Sequence, residues 1–179
     1  MGRKSITGLD IETTGLDPAA HRIIEIAALR YDADTGEFID KLVRRVNPER
    51  SIDPEAQNVH GIALEDLAGE PTWSAIAGEV LDFLCLSDTV VIHNAQFDGP
   101  FVAEEMTRAG LVMPAGIEVF CTMENGRWAC FDGKQPKLQE LCFALGVPYD
   151  EAAAHAAEYD VAQMMDCFFR GLKRGFFKL

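Results

Sequence analysis

Two carboxylates, Asp10 and Glu12, end the first apolar segment of the chain, within the sequence GLDIETTGLDP of residues 8–18. Alternate side chains of a β-strand point to the same face, so the pair projects together, about 7 Å apart along the backbone. Carboxylates this close repel each other unless a proton or a cation intervenes. Because Mg²⁺ and Mn²⁺ prefer such oxygen ligands, the pair favours a metal site. The alternative is that the strand ends at Leu9 and both acids are solvated.

A turn of small residues follows the two acids. Thr13, Thr14 and Gly15 are predicted to line the mouth of the site mainly with backbone amides. Glycine suits this place because it permits the close approach of a ligand or of another backbone. Leu16 comes next, and we predict that it reaches over the site as an apolar contact for a substrate.

A candidate third acid, Asp98, stands a few residues beyond the short apolar strand predicted over residues 89–93. Asn94, between them, is a candidate donor to a phosphate group. An alternative role for Asp98 is that of a plain N-cap. The helix would then carry Pro100 in its first turn, where a missing amide is tolerated, and would stop near Gly110.

Two aromatic side chains and a histidine are further candidates for substrate contacts. Phe97 and Phe101 could pack against a base, although packing in the core is the alternative for both. His60 lies in a long polar region after the third predicted strand and is a candidate neighbour of the site. His21 and His93 are interpreted as structural.

A third group, His155 and Asp160, lies in the alanine-rich segment of residues 151–161. Alanine favours helix, and one continuous helix over this segment is one possible structure. Residues five apart on a helix are separated by about 140° around its axis, so the two side chains would then diverge. A shared site therefore requires His155 to lie in a loop and Asp160 early in the last helix.

The elements that must position these groups follow from hydrophobic periodicity and turn residues. Strands are predicted over residues 5–11, 22–31, 37–46, 89–93 and 117–121, and the first three form an antiparallel meander. Helices are predicted after Thr72, from 98 to about 110, over about 137–145 ending on Gly146, and from about 158 to 174. This order predicts an α/β fold, a mixed five-stranded sheet flanked by helices. Ligands of such sheets bind where the strand ends open a crevice.

Length and composition indicate one globular domain over residues 1–179. The chain is 48% hydrophobic and 25% charged. No apolar run approaches the roughly 20 residues of a membrane helix, and the first residues lack the pattern of a secretory signal. We therefore expect a cytoplasmic protein without a membrane partner. The five cysteines are scattered without a CxxC pair, which argues against disulfides or a zinc site.

The net charge of −13 restricts the possible modes of nucleic-acid binding. Binding that rests on phosphate neutralisation normally uses a basic surface. The charge therefore argues against a broad duplex-binding face. It leaves open a local site in which bound cations hold a polyanionic substrate.

Taken together, the three groups resemble the DEDDh family of 3′→5′ exonucleases, which includes the proofreading ε subunit of bacterial DNA polymerase III. The motifs that carry the resemblance are DIETTGL at 10–16, HNxxFDxxF at 93–101 and HxAxxD at 155–160. VHGI at 59–62, CTM at 121–123 and KLxxLxxxLG at 137–146 also match. The sequence departs from the family pattern at Val161 and at Pro100, neither of which removes a candidate ligand.

The resemblance implies an RNase H-like fold and hydrolysis with two divalent cations, Mg²⁺ or Mn²⁺. Asp10 would bridge both ions, Glu12 and Asp160 would complete one site, and Asp98 would support the other. His155 would deprotonate the attacking water, since histidine titrates nearest neutral pH. A single-stranded 3′ end, preferably DNA, would enter the crevice and release 5′-mononucleotides.

Two alternatives remain open at this point. One is an RNA-trimming 3′→5′ exoribonuclease of the same family, and the other is a non-catalytic module associated with a polymerase. A DNA polymerase is one expected partner, and both a monomer and a homodimer are compatible with the family.

Overall fold

The computed structural model describes residues 4–179, which form one five-stranded sheet with helices on both faces. The strands are β1 (Ser5–Thr13), β2 (Ile23–Asp32), β3 (Phe38–Arg45), β4 (Thr89–Ile92) and β5 (Glu118–Cys121). Their order across the sheet is β3-β2-β1-β4-β5. The first three are antiparallel, whereas β4 pairs with β1 and β5 with β4 in parallel. The predicted meander and mixed sheet are confirmed.

Six α-helices accompany the sheet within the described residues. They are α1 (Pro54–His60), α2 (Trp73–Leu84), α3 (Ala95–Arg108), α4 (Thr122–Asn125), α5 (Leu138–Leu145) and α6 (Ala157–Lys173). Short 3₁₀ turns lie at Leu64–Leu67 and Arg127–Ala129. Glycine in the left-handed conformation ends α5 at Gly146, as predicted. No helix among residues 4–179 is long and apolar enough to cross a membrane.

The central strand β1 has two differently packed faces. Leu9 and Ile11 pack into the core beneath α2 and α3, whereas Ile6 packs into the core beneath α5 and α6. Gly8 shares the face of Ile6 and lies so close to α6 that a Cβ there would approach Met165 to 2.6–2.7 Å. Asp10 and Glu12 lie two and four residues beyond Gly8 on the same strand, so their side chains point toward the α6 face as well.

The connections differ from the sequence prediction in two places. The long polar region after β3 contains α1 and a 3₁₀ turn, which its prolines and lack of apolar periodicity concealed. Helix α3 begins at Ala95, so Pro100 lies inside the helix and not in its first turn. The early start follows from Asn94, two residues beyond the end of β4. Its left-handed backbone (φ 75°, ψ 53°) turns the chain directly into the helix.

Candidate active site

The cleft beside the C-terminal end of β1 brings together the three groups of candidate residues, which are far apart in the sequence. It encloses about 900 Å³ and is lined by Asp10, Glu12, Leu16, Asn94, Phe97, Asp98, His155 and Asp160, among others. Asp10 and Glu12 both belong to β1, which extends to Thr13. The alternative in which the strand ends before the acids is therefore wrong.

Asp98 enters the cleft from α3. It is the fourth residue of that helix and only 3% exposed. The plain N-cap role is wrong because Asn94 occupies that position, and its carbonyl accepts the amide of Phe97 at 2.8 Å. Asn is among the few residues that adopt a left-handed backbone at low cost. The bend at Asn94 thus turns Asp98 back toward the strand ends.

His155 and Asp160 join the site through a sharp turn ahead of α6. His155 lies outside the helix with a left-handed backbone, φ 63°, and its amide donates to Asp160 Oδ2 at 3.0 Å. Asp160 is the fourth residue of α6. One potential ligand atom each from Glu12, His155 and Asp160 lies within 4.8 Å of the others. The predicted loop histidine and helical aspartate are confirmed.

A further acid, Glu25 on β2, escaped the sequence analysis. It lies directly opposite Glu12 in the β1–β2 ladder and is only 8% exposed. Its Oε1 accepts the amide of Ala157, the first residue of α6, at 3.3 Å. Its Oε2 accepts from Arg45 Nε at 3.0 Å. Glu25 therefore acts as a cap for α6 in place of Ala156, whose side chain has no acceptor.

Burial and mutual repulsion disfavour the charged forms of the two β1 carboxylates. The pKa of Glu12 rises to about 8, chiefly through burial and then through the nearby charges of Asp160 and Glu25. Burial also raises the pKa of Asp10 well above the usual carboxyl range, and Asp98 and Glu12 add to it. A positive charge at this point would reverse the penalty for both.

The two acids from the helices show the same effect. Burial raises the pKa of Asp98 to about 8, although backbone amides, including that of Ile11, favour its ionised form. Burial likewise raises the pKa of Asp160, against the hydrogen bond and charge of His155. Perturbed carboxyl groups converging on one cleft are typical of a catalytic or metal site.

The donor set fits divalent cations. Asp160 Oδ1 is buried and has no hydrogen-bond partner among the described residues, and a buried unpaired carboxylate oxygen is costly unless something binds it. Carboxylate oxygens, which Asp10, Glu12, Asp98 and Asp160 supply here, are the ligands that Mg²⁺ and Mn²⁺ prefer. The arrangement can therefore hold a cation between β1 and α6.

Of the four residues of the turn after Glu12 that were predicted to contact substrate, one lines the cleft. Leu16 lines the cleft and is 81% exposed, whereas Thr13 and Thr14 are buried. Thr13 Oγ1 donates to the Gly15 carbonyl at 2.7 Å, and Thr14 Oγ1 accepts the amide of Arg22 at 3.1 Å. These two hydroxyl groups therefore hold the turn, and the contact of a substrate with the backbone amides of Thr13, Thr14 and Gly15 stays a prediction.

Gly15 permits the turn to pack against a histidine. A Cβ at this position would collide with the ring of His21, whose Nδ1 lies 3.1 Å from Thr14 Oγ1 and whose Nε2 lies 3.5 Å from Asp53 Oδ2. The interpretation of His21 as structural agrees with these contacts. Gly15 is not among the residues that line the cleft, so its role is to let Leu16 project.

The two phenylalanines of the second motif have different positions. Phe97 lines the cleft, whereas Phe101 is completely buried in the core beneath α2 and α3. Their ring centroids are 5.1 Å apart. The prediction that Phe101 contacts substrate is wrong, and the alternative of core packing is confirmed for this ring. Phe101 instead supports the ring of Phe97.

The histidines near the cleft are held by neighbouring groups. His60 ends α1, and its Nδ1 accepts the amide of Ile62 at 3.0 Å. It does not line the cleft itself, whereas Val59 beside it does. Burial lowers the pKa of His60, the Thr13 backbone and Glu25 oppose that change, and His155 adds to it, so His60 is a neighbour of the site as predicted. His93 does line the cleft, but its Nδ1 and Nε2 lie 2.9 and 3.1 Å from Thr122 Oγ1 and the Pro136 carbonyl. Burial lowers the pKa of His93 to about 4, consistent with a neutral structural ring.

Comparison with known proteins agrees with this geometry. The sequence matches the Exonuclease (RNase_T) family over residues 7–168. The chain belongs to this exonuclease family. It is 34% identical to the DNA polymerase III subunit epsilon of Rickettsia typhi over 169 residues, covering 89% of this chain and 70% of the relative. It is 30% identical to that subunit from Escherichia coli K12 over 174 residues, covering 89% and 68%.

Solved exonuclease structures share the fold. A structure of exonuclease I superposes with a TM-score of 0.83 at 20% identity, over 97% of this chain and 42% of that protein. The zinc-bound complex of E. coli exonuclease I with single-stranded DNA gives 0.85 at 19% identity, over 97% and 41%. The chain thus spans less than half of exonuclease I, and the RNase H-like sheet predicted for this exonuclease is confirmed.

Proposed function

We propose that this exonuclease removes nucleotides from the 3′ end of single-stranded DNA with divalent metal ions, releasing 5′-mononucleotides. The observation that carries the proposal is the convergence of Asp10, Glu12, Asp98, His155 and Asp160 on one cleft. The names of its relatives, DNA polymerase III subunit epsilon, support a DNA substrate. The proposed exonuclease domain extends over residues 1–179.

The acids are the proposed ligands of two divalent cations, Mg²⁺ or Mn²⁺. Asp10 and Glu12 on the rigid central strand fix one side of the site, and Asp98 and Asp160 close it from α3 and α6. Bound there, the ions would polarise the scissile phosphate and stabilise negative charge on the attacking and leaving oxygens. Their charge would also offset the repulsion between a −13 protein and a polyanion.

His155 is the proposed general base. Its ring is exposed at the cleft, within 4.8 Å of carboxylate oxygens of Glu12 and Asp160. An imidazole at this place can take the proton of the attacking water and release it to solvent. The left-handed turn and the amide bond to Asp160 hold the ring at the edge of the acidic group.

Leu16 and Phe97 are the proposed contacts for the terminal bases. Both line the cleft, Leu16 from the turn after β1 and Phe97 from the first turn of α3. Apolar and aromatic groups bind the faces of all four bases, which suits an enzyme that must accept any sequence. Asn94 also lines the cleft, where its amide is the proposed donor to a phosphate oxygen.

A DNA polymerase is a proposed partner on the basis of the relatives' names. Both a monomer and a homodimer remain predictions.

Oligonucleotides with one blocked end can show from which end the strand is degraded and which product is released. Single-stranded DNA carrying a 5′ label should give a ladder of shortened labelled products in Mg²⁺ or Mn²⁺. A nuclease-resistant 3′ linkage should prevent the ladder, whereas the same linkage at the 5′ end should not. Chromatography should identify the released products as 5′-mononucleotides.

An RNA strand of the same sequence, at matched salt and metal, distinguishes the two substrate classes. Faster hydrolysis of RNA would overturn the DNA assignment and favour RNA trimming. Absence of hydrolysis together with absence of cation binding by calorimetry would instead indicate a non-catalytic module.

A further inference from the structure

Two phenylalanine rings outside the catalytic cleft are fully exposed. Phe131 and Phe143 have relative exposures of 110% and 88%. Phe131 follows the 3₁₀ turn Arg127–Ala129, and Phe143 lies on the face of α5 opposite its buried residues. Both line one open recess of about 550 Å³, here called the aromatic recess. Exposed apolar groups gathered around a recess are typical of an interaction site.

The aromatic recess is continuous with the catalytic cleft. Gln139, in the first turn of α5, lines both. The segment of residues 135–138 lines the cleft immediately before it, and His93 fixes this segment through the Pro136 carbonyl at 3.1 Å. A strand that leaves the cleft along α5 therefore reaches the two rings over a surface anchored to β4.

Local charge in this region differs from that of the whole protein. Arg127, Lys134 and Lys137 are exposed along the segment that borders the recess. Lys134 pairs with Glu140 at 2.6 Å, and Asp132 also lines the recess. The basic side chains thus compensate the acidic ones around the recess. A polyanion therefore meets less repulsion here than elsewhere on a protein of net charge −13. Aromatic faces must then supply most of the attraction.

We propose that Phe131 and Phe143 stack against bases of the substrate strand, on the 5′ side of the nucleotides held in the catalytic cleft. The inference rests on the proposed function, since it assigns the recess to the same single strand. Base stacking on aromatic side chains tolerates any sequence. The recess accordingly binds long strands and leaves the shortest substrates unaffected.

Steady-state kinetics with strands of two lengths test this inference. In Phe131→Ala/Phe143→Ala, we expect KM for a 5′-labelled DNA decanucleotide to rise about tenfold or more, with kcat unchanged. Hydrolysis of a dinucleotide should keep its wild-type kcat/KM. The matched control is Val112→Ala, because Val112 is 84% exposed and lines neither the recess nor the cleft. It should leave both substrates unaffected.

The outcomes separate this inference from the proposed function. If the wild-type protein hydrolyses the decanucleotide and the double variant keeps its KM, the inference is wrong and the proposed function stands. An unchanged KM with an altered oligomeric state in sizing experiments would assign the recess to a protein contact instead. Absence of all hydrolysis by the wild-type protein would overturn both. Unchanged melting temperatures of the variants exclude misfolding as the cause of a rise in KM.

Discussion

The backbone amide of His155 donates a 3.0 Å hydrogen bond to Oδ2 of Asp160, five residues farther along the chain. This bond links the candidate base to a candidate metal ligand through the main chain. The left-handed backbone of His155 permits this bond. It turns the chain immediately before Ala156, the N-cap of α6. The two functional side chains therefore keep a fixed relation even though one is in a turn and the other in a helix.

Replacement of His155 by asparagine should remove the base while retaining this turn. Asparagine adopts a left-handed backbone readily but cannot accept a proton near neutral pH. We expect His155→Asn to lower kcat by roughly 10²- to 10⁴-fold, with little change in melting temperature. Wild-type kcat in this variant, measured on labelled single-stranded DNA, would contradict the assignment of His155 as the base.

Replacement of Glu25 should show whether the cap of α6 matters for catalysis. Glu25→Gln retains an oxygen for the Ala157 amide, whereas Glu25→Ala removes it and leaves that amide unpaired. We expect the alanine variant to lose about 1 kcal/mol of unfolding free energy relative to the glutamine variant, together with a lower kcat. Both variants lose the ion pair with Arg45, so their difference reflects the cap together with the buried stem of the side chain. Equal stability and equal kcat would show that the hydrogen bond to Ala157 is unimportant.

The raised pKa values of Glu12 and Asp98 predict how the metal-free protein responds to pH. Both are about 8 in the folded state and near 4 when unfolded. Between these values the folded state binds more protons than the unfolded state, so the unfolding free energy should fall as pH rises from about 5 to 8. Melting temperatures in a chelator should show this fall. Added Mg²⁺ should raise the melting temperature more at pH 8 than at pH 5.5.

A charge-neutral variant serves as the control for this pH effect. Asp98→Asn removes one titrating group and its repulsion toward Asp10. We expect it to flatten the pH dependence in the chelator and to weaken the stabilisation by Mg²⁺. A slope identical to that of the wild-type protein would show that Asp98 is not a source of the effect.

Variants of Leu16 and Phe101 should distinguish a side chain that contacts substrate from one that packs in the core. Leu16→Ala removes an exposed side chain and should raise KM for single-stranded DNA at an unchanged melting temperature. Phe101 is completely buried. We therefore expect Phe101→Leu to lower the melting temperature and to leave KM nearly unchanged. An unchanged KM in Leu16→Ala would remove Leu16 from the substrate contacts.

Periodicity predicted the sheet, because alternation is a local signal, whereas the resemblance of three motifs to a known exonuclease family selected the five catalytic candidates together. The position of His155 outside the helix followed from the geometry that a shared site with Asp160 would require. Local signals could not reveal the burial of Thr14, because the loop between β1 and β2 must first fold His21 and Arg22 back against it. The early start of α3 depends on a left-handed backbone at Asn94 that composition does not specify.

Glu25 illustrates a second kind of information that the sequence lacks. Within the apolar segment RIIEIAALRY it resembles any polar residue of a strand. Its role appears only when the register of β1 with β2 places it opposite Glu12 and when α6 begins at Ala157. Both conditions depend on tertiary pairing.

The most direct test of the central claim compares the wild-type protein with Asp10→Asn for release of mononucleotides from single-stranded DNA. Asp82→Asn is the matched control, since Asp82 is an exposed acid on α2 whose side chain makes no hydrogen bond or ion pair within residues 4–179. We predict activity in the wild-type protein and in Asp82→Asn that requires Mg²⁺ or Mn²⁺ and stops in a chelator, and none in Asp10→Asn. Undiminished activity in Asp10→Asn, or wild-type activity in the chelator, would contradict the metal-dependent site at the end of β1.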